Sequence, residues 1–314
     1  MQVNKPLREE LTLDNIMTEF ATDAKARKFL EKRLWPTGPV CPRCQTADQS
    51  RIAKDKGKTA REGLYRCNDC RRTFTVTVGT IFEDSHIPLR KWIVGMFLMC
   101  SSKKGMSSLQ FKRILGLGSY RTALFMTHRI RHAITETDFA SKLTGTVEVD
   151  ETYVGGKAKG KTFWNNKTPV VSLVQRDGTK RSIAIKRVTA AGLMEAIVEH
   201  VEPGTVVMTD QSPLYTRIVP KFTRRFTSHN KGEYARKERD GSVTHTNNAE
   251  SSFSLLKRGV YGTFHSLSPQ HLGKYCGEFD FRWNLRHVSD GQRMLSAVSK
   301  TKGKRLTYKA IKGD

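Results

Sequence analysis

Three short acidic segments stand in the second half of a strongly basic chain: Val147-Glu148-Val149-Asp150-Glu151-Thr152, Val206-Val207-Met208-Thr209-Asp210-Gln211 and Asn247-Asn248-Ala249-Glu250. In the first two, a β-branched apolar run leads onto a carboxylate. The third has helical character, and Lys257 follows Glu250 two helical turns later on the same face. The chain carries 55 Lys plus Arg against 30 Asp plus Glu, a net charge of +25. Bringing separate carboxylates together gains nothing electrostatically in such a chain unless cations lie between them. Divalent ions take carboxylate oxygens and activate water and phosphate oxygens. If the strands carrying Asp150 and Asp210 are neighbours, their carboxylates emerge side by side and can hold two such ions about 4 Å apart. Glu250 then completes the shell, and Lys257 points at phosphate.

A second constellation lies near the N-terminus. Cys41-Pro42-Arg43-Cys44 and Cys67-Asn68-Asp69-Cys70 are two Cys-x-x-Cys pairs, the pattern of a four-thiolate tetrahedral zinc site. Four protein ligands leave no open position, so the role is structural. A strand-rich module of this size has too little core of its own and needs such a staple. Cys100 and Cys276 stand alone in apolar or aromatic surroundings and read as small buried hydrophobes.

The elements that position these residues follow from periodicity. Helical spacing of Ile16, Phe20, Ala24, Phe29, Leu30 and Leu34 predicts two short helices, with Thr12 or Asp14 starting the first and Thr22 or Asp23 the second. Strand, turn and strand lie between the cysteine pairs, and alternation predicts a further strand over Arg72–Val78. Three helices follow, the first over Leu89–Ser101. Ser107 caps the second, Gly116 and Gly118 break it, and Ser119 caps the third. This is a helix-turn-helix pattern. Arg121, near the start of its last helix, is placed to reach base edges, with Lys112, Arg113 and Arg129 on phosphates.

From Thr146 strands dominate: Thr146–Val154, Pro169–Gln175 and Ser182–Val188, with Asp177-Gly178 as a hairpin turn, then a helix over Ala190–Val201 and a buried strand over Thr205–Thr209. A short helix (Leu214–Val219), a strand (Arg224–Thr227) and helices over 247–258 and 269–285 complete a mixed α/β layer. The division read from the sequence is a helical lead-in (1–37), a zinc ribbon (38–80), a helix-turn-helix-like DNA-binding part (86–138), an α/β domain (144–290) and a basic C-terminal tail (291–314), mobile from Lys300.

The composition, 37% hydrophobic and 27% charged, is that of a folded globular chain. No apolar run approaches the roughly 18 residues that span a bilayer, and Met1–Lys5 lacks the apolar core of a signal peptide. The chain therefore reads as cytoplasmic, without a membrane partner. A charge of +25 points to nucleic acid, with binding that weakens steeply in salt.

The order of zinc ribbon, Val149-Asp150-Glu151-Thr152-Tyr153-Val154-Gly155-Gly156, Thr209-Asp210-Gln211-Ser212, and the run from His245 through Asn247, Asn248, Glu250 and Lys257 to Gly259 resembles bacterial insertion-sequence transposases of the ISXO-like group, relatives of the eukaryotic Merlin elements. Gly262-Thr263-Phe264-His265 and Glu278-Phe279-Asp280-Phe281-Arg282-Trp283-Asn284 resemble the same group. The likeness covers residues 15–290. It implies a ribonuclease-H-like catalytic domain that cuts and joins double-stranded DNA with Mg²⁺ or Mn²⁺, acting at terminal inverted repeats and at target DNA in the bacterial nucleoid. Asp150 and Asp210 match the family's first two metal-binding acids, and Lys257 its basic residue. The family uses Asn or Glu at the third position. Glu250 is favoured here for its carboxylate and its spacing to Lys257, and Asn247 is the alternative. His265 and Arg282 lie in matching motifs, in packing or DNA contact. Pairing two DNA ends requires at least two protomers. Two other classes of reading are a non-catalytic DNA-binding regulator derived from such an enzyme and a structure-selective nuclease.

Overall fold

The computed structural model describes residues 11–57, 61–136, 139, 141–156, 167–176, 178–219 and 221–308. Asp177 of the expected hairpin turn lies outside them. The chain forms two compact units: Met1–Ser102 with Met106–Ile134 and His287–Asp314, and Lys103–Gly105 with Thr135–Arg286. No helix of the described residues is long and apolar enough to cross a membrane.

The first unit opens with α1 (Leu13–Glu19) and α2 (Asp23–Leu34), whose N-caps Thr12 and Thr22 accept the N–H groups of Asn15 and Lys25. Strands β1 (Ile52–Lys54), β2 (Tyr65–Cys67) and β3 (Thr73–Phe74) form an antiparallel sheet in that order. The expected strand over Arg72–Val78 is cut short. After Phe74 the chain turns, Val78 N–H bonding to Thr75 O at 3.1 Å and Thr80 N–H to Thr77 O at 3.2 Å. Helices α3 (Leu89–Ser101), α4 (Ser108–Leu115) and α5 (Tyr120–Ile134) follow. Ser107 caps α4, and Ser119 accepts the Thr122 N–H at 3.0 Å. Gly116 ends α4 in the left-handed region at φ 56, which a glycine adopts without strain. Gly95 lets α3 approach closely. A Cβ there would lie 2.7 Å from Phe111 and 2.8 Å from Met126.

In the second unit, β4 (Thr146–Gly155), β5 (Lys167–Gln175) and β6 (Lys180–Ala184) are antiparallel neighbours. After α6 (Ala190–His200), β7 (Val206–Asp210) pairs with β4 in parallel. A 3-10 turn over Pro213–Ile218 leads to β8 (Thr223–Thr227), parallel to β7. The sheet order is β6-β5-β4-β7-β8. The hairpin β9 (Arg236–Lys237) and β10 (Val243–Thr244) precedes α7 (Asn247–Gly259) and α8 (Pro269–Asn284). Val147, Val149, Val171, Leu173 and Val207 pack with Leu193 and Ile197 of α6 on one face. Val154 and Val170 pack with Phe253 and Leu256 of α7 and Cys276 and Phe279 of α8 on the other. This is the mixed sheet with helices of the ribonuclease-H-like expectation.

The motif around Asp280 covers the open edge of β6. Asp280 accepts the Ser182 N–H and hydroxyl at 2.6 and 2.7 Å and pairs with buried Lys180 at 3.2 Å. One turn on, Asn284 accepts the Lys180 N–H at 2.7 Å and donates to its carbonyl at 3.1 Å. Side chains of α8 thus replace a neighbouring strand and close an edge that would otherwise template aggregation. Arg282, buried and paired with Glu278, serves packing.

The expected C-terminal tail is structured in part. Asp290–Ser299 forms α9, with a Ser289/Gln292 capping box and Met294, Ala297 and Val298 buried. Arg293 donates to the Cys100 carbonyl at the end of α3, and Lys304 to the Ala133 carbonyl of α5. The basic residues of this segment hide an ordinary helical period.

Candidate active site

The pairing of β4 with β7 sets Thr146 beside Val206, Val147 beside Val207 and Glu148 beside Met208. Two residues further on each strand stand Asp150 and Asp210. Neighbouring strands lie about 4.8 Å apart, so these two carboxylates occupy equivalent positions. Because side chains alternate, Glu148 and Asp150 lie on the face that carries α7, opposite to Val147 and Val149. The row continues outward, Asp150 opposite Ser172 of β5 and Asp210 opposite Thr227 of β8. Asp150 lies inside its strand, as the expected range Thr146–Val154 requires. β4 runs on to Gly155, and it is β7 that stops at Asp210.

Each acid is held from behind. Asp210 Oδ1 accepts the Ser212 N–H at 3.0 Å. Arg224 fastens the same strand end, donating to the carbonyls of Asp210 and Ser212 at 3.0 Å and to Thr209 Oγ1 at 3.1 Å. Asp150 is half-buried, and its Oδ1 accepts the Glu151 N–H at 2.9 Å. Burial, with the charge of Glu151 and smaller contributions from Glu250 and Asp210, pushes the Asp150 carboxyl up to about 7 against that hydrogen bond. Glu151 points to the other face, where the Tyr215 hydroxyl donates to it; burial raises its pKa as well.

Glu250 stands in the first turn of α7. Its Oε1 accepts the Thr246 hydroxyl at 3.1 Å and lies 3.7 Å from His229 Nε2, which in turn is 3.4 Å from Thr227 Oγ1. Lys257 is exposed two turns further along the helix, and Asn247 is exposed at its start. The three carboxylates are electrostatic neighbours, yet they do not form one tight cluster. Among the described residues, the only group of three or more metal-ligand side chains with ligand atoms within 4.8 Å of one another is that of the cysteines. Asp150, Asp210 and Glu250 are not gathered to that spacing. Glu250 satisfies its carboxylate locally, through Thr246 and His229.

Sequence reasoning gave no role to Glu148, Arg224 or His229. Glu148 had a signal, two acids at the alternation of one strand. For the other two, only the fold brings them to the acids.

Cys41, Cys44, Cys67 and Cys70 meet as the spacing requires, with Cys41 Sγ 3.6 Å from Cys70 and Cys44 Sγ 3.5 Å from Cys67. Gln45 and Arg71, directly after each pair, take positive φ values of 61 and 57, which curls each knuckle around its sulfurs. Asp69 ties the knuckles together, accepting from Thr46 at 2.7 Å and Arg51 at 2.6 Å. Against the cost of burial, the backbone N–H groups of Cys44 and Arg43 bring the Cys41 thiol down to about 7, while Cys44, against the Thr46 N–H, is pushed up to about 12 by desolvation and the neighbouring sulfurs, and Cys70 is raised as well. The four soft donors suit structural zinc.

Residues 142–284 match the family model described as the ISXO2-like transposase domain, and residues 21–73 match the transposase zinc-ribbon domain. The chain carries an ISXO2-like transposase domain preceded by a transposase zinc ribbon. A protein of the transposable element ISH50 of Halobacterium salinarum is 27% identical over 302 residues, which span 90% of this chain and 97% of that protein. A simian T-cell lymphotropic virus intasome in complex with PP2A regulatory subunit B56 gamma overlaps 63% of this chain and 67% of its own at 12% identity, with a TM-score of 0.29, a likeness too weak to carry an argument. The segment matched to the transposase domain runs from just before β4 to the end of α8 and contains all three acidic motifs.

Among the basic residues expected on DNA, Arg113 and Arg121 are exposed and Lys112 is half-buried. The Arg121 guanidinium lies 4.9 Å over the Tyr308 ring. Arg129 is a correction. It is 3% exposed and donates to the carbonyls of Leu306 at 3.0 Å and Glu83 at 2.7 Å, so it braces the first unit and is withdrawn from phosphate.

The raised pKa of Asp150 has a stability consequence. A carboxyl whose folded pKa exceeds its ordinary 3.8 adds stability at low pH and loses it as pH rises through about 7. With Mg²⁺ and Mn²⁺ omitted, Asp150→Asn removes that loss. The expected outcome is a variant more stable than the parent at pH 8, by on the order of a few kcal/mol, with a smaller gap at pH 5. Urea midpoints at the two pH values measure it, and a gap that shrinks toward pH 8 would contradict the burial of an unfavourable charge.

Proposed function

We propose that this protein binds the terminal inverted repeats of its element and carries out divalent-metal-dependent strand cleavage and strand transfer as a DDE-type enzyme, with two or more protomers pairing the ends. The observation that carries this reading is the placement of Asp150 and Asp210 at equivalent positions of adjacent parallel strands, on the face where α7 holds Glu250. The donors are hard carboxylate oxygens, and the upward shift of Asp150, owed first to burial and then to the charges of Glu151, Glu250 and Asp210, is what a half-buried acid among other acids carries. Mg²⁺ or Mn²⁺ held by Asp150, Asp210 and Glu250 would supply an activated water and stabilise the leaving 3′ oxygen.

The chain's own residues do the positioning. β4 and β7 hold the two aspartates on rigid strands, with Arg224 and Ser212 locking Asp210. Lys257, exposed on α7, presents its ammonium to a phosphate. Water attacks the phosphodiester at the element's end, and the bond to the 3′ oxygen breaks. The freed 3′-hydroxyl then attacks a target phosphodiester in line, one bond forming as one breaks, so no nucleotide cofactor is required. Glu250 is preferred to Asn247 as third ligand because a carboxylate is the harder donor and its charge is among those acting on Asp150. The zinc ribbon and the α4–α5 hairpin, through Lys112, Arg113 and Arg121, contact the DNA ends.

The test uses the full chain with duplexes carrying the element's ends. Cleavage with a free 3′-hydroxyl and joined products in Mg²⁺ or Mn²⁺ are expected. Sequence-specific binding with no cleavage would make the chain a regulator, and cutting without joining a nuclease.

A further inference from the structure

We propose that Glu148 is a positioning residue that anchors the N-terminus of α7 to β4 and thereby fixes where Glu250 stands. The inference rests on the reading of Glu250 as a metal ligand. Helix α7 begins without a cap of its own, since the side chain of Thr246, at the N-cap position, makes no capping hydrogen bond. Its first-turn donors need an acceptor. The acceptor comes from the sheet. Glu148 Oε2 receives the N–H of Asn248 at 2.8 Å and of Ala249 at 3.3 Å, the bonds an N-cap side chain would make. Oε1 receives Asn248 Nδ2 at 2.8 Å and Arg176 Nε at 3.0 Å, and His245 Nδ1 lies 3.2 Å away.

The carboxylate is 0% exposed. A buried carboxylate must be matched by donors, and here the donors are a helix terminus and an arginine. A negative charge at a helix N-terminus is favourable, and its bonds to N–H groups are stronger than neutral ones. Arg176 also donates to the Val243 carbonyl at 2.6 Å, so the segment entering α7 is tied to the same point. Glu250 follows Ala249 directly, one residue past the clamp. Asn248 spends its side chain on Glu148, which removes it from the set of candidate ligands. Glu148 precedes Asp150 by one strand period, so a single strand carries one ligand and sets the position of another.

The experiment compares the parent with Glu148→Gln, which keeps the shape and removes the charge, and with Asn248→Ala, which removes one bond and leaves the carboxylate. Hydrogen exchange on the full chain is read at the first-turn amides of α7 and at those of β5 and β6. The Mn²⁺ concentration giving half-maximal cleavage of end-containing DNA is read in parallel. For Glu148→Gln the first-turn amides of α7 should exchange at least about tenfold faster with β5 and β6 unchanged, and the Mn²⁺ requirement should rise about 10- to 100-fold, the range for lost outer-sphere partners. Asn248→Ala should move both readouts in the same direction by less. Unchanged exchange at the start of α7, or loosening spread equally over β5 and β6, overturns the anchoring. Local loosening with an unchanged Mn²⁺ requirement overturns the link to Glu250. If the parent itself cleaves nothing, the transposition reading falls, and the exchange pattern still decides the anchoring.

Discussion

Asp150→Asn and Asp210→Asn should each reduce strand cleavage and strand transfer by more than about 100-fold, because loss of an outer-sphere partner alone costs 10- to 100-fold at metal sites and these residues are proposed to touch the ion. Asparagine keeps the volume and the hydrogen bonds that hold each position, Glu151 N–H to Asp150 Oδ1 and Ser212 N–H to Asp210 Oδ1. The fold should therefore survive, and for Asp150 the metal-free protein should gain stability at neutral pH. Loss of activity together with a gain in stability separates a functional acid from a structural one, since removing a carboxylate that holds the fold together would lower both. End binding, assigned to residues of the first unit, should be unchanged in a gel-shift assay. Glu250→Gln and Asn247→Ala complete the series. A collapse of cleavage in the first with near-parental activity in the second assigns the third ligand to Glu250, and the reverse assigns it to Asn247. Cleavage that persists at the parental rate in both aspartate variants would remove the catalytic reading altogether.

Those positions were legible in the sequence to the extent that local chemistry fixes them. An apolar β-branched run needs a sheet, and a carboxylate directly after such a run is placed on a strand of that sheet. The equal offset of Asp150 and Asp210 in parallel strands needed the register. The start of α7 was readable as a helix, but its cap was not, since Glu148 lies far away in sequence and only the fold brings it under Asn248 and Ala249. Arg129 misled because a basic residue on the last helix of a helix-turn-helix looks like a phosphate contact. The same helix buries Met126, Ile130 and Ala133, and position 129 borders that stripe. In the same way the lysines after Ser299 drew attention from the apolar stripe of α9. Val76 and Val78 alternate like a strand, yet short-range bonds from Val78 to Thr75 and from Thr80 to Thr77 win where, among the described residues, no strand pairs with them. In each miss a long-range partner, or its absence, overrode a correct local preference.

Removal of zinc should unfold the ribbon and abolish end recognition while the second unit stays intact. The strands of the ribbon are two or three residues long, and its buried cluster is Cys41, Ile52, Cys67 and Phe74, with Trp35, Tyr65, Cys70 and Val78 packed against it. Two of the four fully buried members are ligands, so the core and the metal site are the same object. Trp35, Tyr65 and Phe74 contact one another at 5.4 to 5.9 Å between ring centres, but three rings do not offset the entropy of ordering such a module. Zinc binding contributes about 10–16 kcal/mol to folding in small modules of this chemistry. Cys44→Ser, at the most exposed of the four thiols, leaves the apolar cluster untouched and removes one ligand. The expected result is loss of one bound zinc per chain, tryptic cleavage at Arg66 and Arg72, and loss of sequence-specific end binding, with a protease-resistant fragment corresponding to the second unit. Zinc content by atomic emission and limited proteolysis read the two effects separately. A Cys44→Ser protein that keeps both its protease resistance and its end binding would mean that the aromatic cluster alone folds the ribbon, and the four-thiolate geometry would then owe its form to packing.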